Sequence, residues 1–144
     1  LDVNFRGATR ILSFAIPEFI AANAGHIALV GSVAGYRGLP AAIGYGASKS
    51  AIIHLAENLK LDLKDTNIKI QIINPGFVKT RLTDKNNFKM PAMISANEAA
   101  KYIEEGLFKD SFEIHFPKKF SYVLKFLASI PYSLYFTILN KIKM

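Results

Sequence analysis

The sequence predicts an α/β domain, a parallel sheet layered with helices, and three observations lead there. Segments of helical periodicity alternate with short continuous apolar runs. Those runs are rich in β-branched residues, and glycine and proline fall at their boundaries, at Gly25 and at Pro75-Gly76. A helix joining two strands of one sheet is a crossover, which makes the strands parallel.

From Val3 onward, Phe5, Ala8, Ile11, Leu12, Ala15, Ile16, Phe19 and Ile20 recur at three- and four-residue steps. They predict an amphipathic helix ending around Asn23 to Gly25, with Pro17 kinking it or breaking it early. The run HIALVGS then reads as a strand buried on both faces. A second helix follows from about Tyr45 to Lys64, with Ala51, Leu55, Leu59 and Leu63 on its apolar stripe. IKIQIIN, Ile68 to Asn74, is the next strand, stopped by Pro75-Gly76. The stretch from Thr83 to Ile94, with Asp84, Asn86, Asn87 and Pro91, reads as a mobile loop. Ser95 stands three residues before Glu98, a capping box that opens a third helix. Phe112 to Phe116 alternates and reads as a short final strand.

Composition sets the class. A chain of 144 residues, 51% hydrophobic and 20% charged, fits one packed domain and not a disordered segment. The absence of cysteine excludes a disulfide framework and a thiolate metal site, and it is compatible with a cytoplasmic home. His26, His54 and His115 stand singly, without the paired spacing of metal ligands. The net charge of +7 comes from lysines spread along the chain, with no basic and aromatic recognition motif, so no nucleic-acid partner is expected.

Ligands of parallel sheets bind at the carboxyl ends of the strands, and one polar group of residues falls there. Ser32 closes the first strand, while Tyr45 and Lys49, four apart at the start of the next helix, share a face. A phenol has a reference pKa of about 10, so acid or base work at neutral pH needs roughly 4 kcal/mol of help. A cation about 4 Å away at an effective dielectric of about 20 supplies that much. A serine hydroxyl can meanwhile donate to a carbonyl oxygen. By themselves the three residues also fit a solvated helix face and a strand-end cap, and Asn4 fits a helix N-cap. GYGASKS superficially fits a phosphate loop, but Ser48 stands where that motif places a glycine before its lysine.

The pattern Ser32, twelve residues, Tyr45, three residues, Lys49 resembles the active site of the short-chain dehydrogenase/reductase family, which moves a hydride between NAD(H) or NADP(H) and an alcohol or carbonyl. VNFRG around Asn4 and NPGFVKT from Asn74 to Thr80 resemble two further signatures of the family, in its order and spacing. The resemblance implies a Rossmann-like doubly wound parallel sheet, of which residues 1–117 would form the carboxyl-terminal part. It implies Tyr45 as general acid/base, and Lys49 lowering its pKa and holding the nicotinamide ribose. Ser32 would orient the substrate carbonyl, and Asn4 would sustain a proton relay through its backbone and a water. Pro75, Gly76, Val78 and Thr80 would contact the nicotinamide end. The family's glycine-rich turn and ribose-discriminating residue would lie upstream of Asn4, so NAD and NADP stay equal. The helices Val3 to Phe19 and Tyr45 to Lys64 would join subunits of a homodimer or homotetramer. Phe88, Met90 and Met93 suggest an apolar pocket for a hydrophobic alcohol or ketone.

Residues 118–144 form a hydrophobic, basic extension, the least family-like part. Its uncharged core, Phe126 to Leu139, is 14 residues long and interrupted by Pro131, short of the ~20 that a spanning helix needs. Aromatic and aliphatic residues among Lys118, Lys119, Lys125, Lys141 and Lys143 suit a segment lying on anionic lipid. Packing over the substrate pocket, or against another subunit, is the competing expectation. A non-catalytic half-fold interaction protein and a membrane-associated module stand as alternatives to the enzyme.

Overall fold

The structure, a computed structural model, describes residues 2–80 and 90–141. A π-helical turn, Asp2–Arg6, runs into α1 (Gly7–Ala22), followed by β1 (Gly25–Val30) and α2 (Ile43–Asp62). Then come β2 (Ile68–Pro75), α3 (Ala96–Leu107), β3 (Glu113–Phe116), α4 (Lys118–Ser129) and α5 (Tyr132–Lys141). The strands form one parallel sheet in the order β1-β2-β3, with Leu29 opposite Ile72 and Ile73 opposite Ile114.

Two apolar layers cover the sheet. On one face Leu12 of α1 and Ile52 and Ala56 of α2 pack against Ile27, Leu29, Ile70 and Ile72. On the other, Ala99 of α3 packs with Ile73, Ile114 and Phe116. The middle strand, β2, is buried on both faces as its continuous pattern predicts, whereas β1 is not: Ile27 and Leu29 are buried while His26, Ala28 and Val30 are exposed. β1 is the edge of the described sheet, and α1 and α2 cover only one of its faces.

Local chemistry fixes the boundaries. α1 ends at Asn23, whose left-handed φ of 45° turns its N–H back to the Ile20 carbonyl. Pro17 lies within α1 and does not end it. The residue is exposed, so the carbonyl it leaves without an N–H partner sits on the solvent side, while Leu12, Ile16 and Phe19 hold the opposite face to the core. α2 begins at Ile43, and its buried positions are Gly46, Ser48, Ile52 and Ala56; of the expected stripe, Leu63 at the helix end is buried in the core, while Ala51, Leu55 and Leu59 are half-buried, the two leucines packed against that core. Small residues choose that face because the helix backbone comes close to its neighbours. Ser95 caps α3 reciprocally with Glu98, the Ser95 hydroxyl accepting from the Glu98 N–H at 3.2 Å and the Glu98 carboxylate from the Ser95 N–H at 2.8 Å. Gln71, fully buried in β2, reaches the carbonyls of Gly106, Lys109 and Ser111 at 2.7–3.1 Å and so ties down the turn from α3 to β3.

β3 starts one residue later than expected, at Glu113, and Ile114, His115 and Phe116 are all buried in place of alternating. α4 supplies the second cover, for the His115 ring nitrogen pairs with the Ser121 hydroxyl at 2.5 Å. The expected mobile loop falls largely on residues 81–89, outside the described residues. Its last residue, Ile94, is bonded through its N–H to the Phe77 carbonyl and through its carbonyl to the Lys79 N–H. Among the described residues no helix is long and apolar enough to cross a membrane.

α3 meets β3 through Gly106, where a Cβ would lie 2.7–2.8 Å from three side-chain atoms of the buried Ile114. Gly106→Ala should therefore lower stability by about 1–2 kcal/mol, the overpacking cost exceeding the gain in helix propensity. A reduced urea midpoint with an unchanged m-value is the expected result; a raised midpoint would show that the contact has room.

Candidate active site

Beyond Val30 the chain leaves the sheet at Gly31, whose N–H donates to the Ile73 carbonyl at 2.8 Å. Ser32 follows in extended conformation, and its hydroxyl accepts from the Ala34 N–H at 3.2 Å, capping the short 3₁₀ turn Val33–Gly35. The same hydroxyl donates to the Pro75 carbonyl at 3.4 Å, so this buried serine bridges the ends of β1 and β2.

Two glycines press that turn onto α2. A Cβ on Gly35 would lie 2.7 Å from the backbone carbon of Lys49 and 2.8 Å from the Ser50 nitrogen, which no side chain tolerates; one on Gly46 would lie 3.1 Å from the Ala34 oxygen. Tyr45 and Lys49 consequently stand one helical turn apart beside the serine turn. Tyr45 is 52% exposed. The Lys49 ammonium lies 5.8 Å from the Tyr45 ring centroid and donates to the Val30 carbonyl at 2.9 Å. A partly buried ammonium needs an acceptor, and the carbonyl at the end of β1 is its partner. Burial also lowers the Lys49 pKa below the ordinary lysine value.

Asn4 joins through a residue that sequence reasoning passed over. Its side-chain amide donates to the Ser48 hydroxyl at 3.2 Å, and Ser48 donates onward to the Tyr45 carbonyl at 2.7 Å. The resemblance implies a role for the Asn4 backbone, whereas here its side chain braces the first turn of α2. Pro75 and Gly76 lie beside the serine at the end of β2. The Gly76 N–H donates to the Phe116 carbonyl at 2.7 Å, and a Cβ there would meet Pro117 and Phe120 at 3.1–3.2 Å. Val78, bridged to Ile94, packs into the core on the α3 side, and Thr80 is exposed. Of the suggested apolar pocket, Phe88 lies outside the described residues, while Met93 is exposed and Met90 half-buried.

A second polar cluster lies behind the serine turn, under α4. Tyr36 donates its hydroxyl to Glu113 at 2.5 Å, the Asn74 amide donates to the same carboxylate oxygen at 2.8 Å, and Lys125 forms an ion pair with the other. Burial alone would raise the Glu113 pKa, but hydrogen bonds from Lys125, Tyr36 and Asn74, with the charge of Lys125, carry it below the ordinary carboxylate value. Tyr36 moves the other way, pushed up by burial and by the adjacent carboxylate. A charged residue inside the apolar run of β3 was the available sequence signal. These residues line a cavity of about 450 Å³ that includes none of Ser32, Tyr45 or Lys49.

A model of the short chain dehydrogenase family matches residues 1–91. The chain belongs to the short-chain dehydrogenase family. An uncharacterized oxidoreductase of Myxococcus xanthus is 33% identical over 135 residues, covering 94% of this chain and 53% of its own length. That coverage carries the likeness well into α4 and α5. Among solved structures, a short chain dehydrogenase from Burkholderia cenocepacia J2315 in complex with NADP superposes with a TM-score of 0.80 at 22% identity, over 96% of this chain and 58% of that one. A short-chain dehydrogenase from Sphingobium yanoikuyae in complex with NADPH gives 0.76 at 20% identity, over 99% and 55%. The chain thus carries part of the family's Rossmann-like doubly wound sheet. It spans about half the length of the curated relatives it matches.

In this short-chain dehydrogenase chain, Glu113 links the serine-turn segment to the tail, and its titration has a definite sign. Because its folded pKa lies below 4.5, its contribution is complete above pH 4.5 and is lost as the pH falls through the folded value. Glu113→Gln should cost about 1–3 kcal/mol at neutral pH and flatten the acid limb of the stability profile. Chemical denaturation of both forms between neutral pH and pH 3 measures this; parallel acid limbs would contradict it.

Proposed function

We propose that the intact protein is an NAD(P)-dependent oxidoreductase that transfers a hydride between the nicotinamide and an alcohol or carbonyl carbon. The observation that carries this reading is the backbone-to-backbone packing of the Ser32 turn on the Tyr45–Lys49 turn at the carboxyl edge of the sheet. The donor set suits the nicotinamide-ribose end of a dinucleotide: an ammonium has three N–H donors, and the Val30 carbonyl takes one of those of Lys49. The cofactor, NAD or NADP, supplies or accepts the hydride.

In the reductive direction Ser32 donates to the substrate carbonyl oxygen, and Tyr45 delivers its phenolic proton to that oxygen as the carbon gains the hydride. In oxidation Tyr45 takes the alcohol proton. Lys49, partly desolvated beside the ring, stabilises the phenolate that forms and holds the ribose. Ser48 and Asn4 keep the first turn of α2 in place. On this reading Pro75, Gly76, Val78 and Thr80 contact the nicotinamide end, Val78 through its backbone because its side chain packs with the core. Met90 and Met93 favour a substrate with a hydrophobic body, and exposed Ile11 and Phe14 on α1 favour a homodimer or homotetramer.

The tail adds a finer reading, that of a cytoplasmic enzyme touching an anionic lipid surface. α4 turns Ser121 inward and Tyr122, Val123 and Phe126 outward, and residues 118–144 contain five lysines and no acidic residue.

Tyr45→Phe should reduce turnover by about 10²–10⁴-fold with dinucleotide binding retained, whereas Lys49→Ala should impair both. Steady-state kinetics and calorimetric titration check this, and wild-type turnover by Tyr45→Phe would end the catalytic assignment. For the tail, the intact protein should co-sediment with phosphatidylserine-containing vesicles at low salt. The double variant Tyr122→Ser, Phe126→Ser should stay in the supernatant. A wild-type protein that stays in the supernatant excludes the lipid contact, and equal pelleting of the two removes it from the outward face of α4.

A further inference from the structure

Arg37 lies in the segment between the Ser32 turn and α2, and the tail closes on it. Its Nη1 is 3.0, 3.1 and 2.6 Å from the carbonyl oxygens of Leu127, Ala128 and Ile130. These are carbonyls at the carboxyl end of α4, where helical partners run out and the helix dipole favours a cation. The guanidinium carbon also lies 4.3 Å from the ring centroid of Tyr132 and 4.1 Å from that of Tyr135, so the charge is held between two aromatic rings. Tyr135 is 1% exposed, and its hydroxyl donates to the Gly38 carbonyl at 2.5 Å. Around them Val33, Leu39, Leu124 and Leu127 leave a void of only about 10 Å³.

We propose that Arg37 is a positioning residue: it fastens α4 and α5 to the segment between Ser32 and Tyr45 and thereby sets the substrate side of the site. The second half of this statement rests on the oxidoreductase reading, but the first does not. A lysine could supply the charge and donors for the carbonyls, but not the flat guanidinium that stacks on the two rings while its Nη1 reaches the carbonyls. Gly38 and Leu39, held by Tyr135, lead directly into the first turn of α2. Loss of the clamp therefore frees the backbone that separates the serine from the tyrosine.

Two measurements on the intact protein test this. In hydrogen exchange, Arg37→Ala should speed exchange of amides 33–42 and of α5 while leaving β2 and α3 unchanged. Tyr135→Phe, which keeps the ring and loses only the bond to Gly38, should do so to a smaller extent and decides the matter if Arg37→Ala fails to fold. Unchanged exchange at 33–42 in the folded variants overturns the clamp. In kinetics with a panel of aliphatic ketones and aldehydes, Arg37→Ala should raise KM about tenfold, with kcat within about twofold and dinucleotide affinity unchanged; Arg37→Lys should recover only part of the loss. A KM equal to wild type, or full recovery by lysine, overturns the positioning role. A wild-type protein that turns over none of the panel overturns that role together with the oxidoreductase reading, while the exchange contrast still decides the clamp.

Discussion

Among the described glycines, the tightest approach of backbone to backbone is between the turn after β1 and α2, where Gly35 meets Lys49 with no space for a methyl group. Much of the site follows from that contact. It sets the distance between the serine at the strand end and the tyrosine and lysine on the helix. It also requires the small residues that face inward from α2 and draws Ser48 into the hydrogen bonds that reach Asn4. A larger residue at Gly35 would push the helix outward and carry Tyr45 and Lys49 with it.

The tail completes the arrangement from the opposite direction. Glu113 holds Lys125 of α4 and Tyr36 of the serine-turn segment on one carboxylate, and Arg37, the next residue along, is held by the end of α4. Neighbouring residues of one short segment thus engage the tail through different chemistry, one through an ionic network and the other through carbonyls and ring faces. The inward side of α4 and α5 sets polar groups beside Leu124 and Leu127; the outward side of α4 sets Tyr122, Val123 and Phe126 beside Lys118 and Lys119.

α4 and α5 were read only as a hydrophobic, basic extension, whereas the three strands, the helices α1 to α3 and their order were legible in the sequence because continuous apolar runs and periodic stripes are local signals. The capping box at Ser95 was legible for the same reason. The buried face of α2 was legible only in part: Leu63 is buried as its stripe predicts, whereas the rest of that face is set by Gly46, Ser48, Ile52 and Ala56, most of them small. Both-face burial was expected of β1 and β2 alike, and cover by helices distinguishes them. At the site, the spacing of Ser32, Tyr45 and Lys49 was readable, whereas the Val30 carbonyl as the lysine's partner depends on strand geometry. Arg37 carried no signal at all, because the groups that hold it lie about ninety residues away.

That separation bears on the order in which the molecule assembles. β1, the serine turn and α2 are synthesised well before α4 and α5, and a nascent chain can pair its strands while the tail is still inside the ribosome. Until the tail emerges, the Arg37 guanidinium has no carbonyls to bind and Tyr36 no ion pair to join. The segment leading to Tyr45 gains these partners only when α4 and α5 dock, at the close of a loop of about ninety residues.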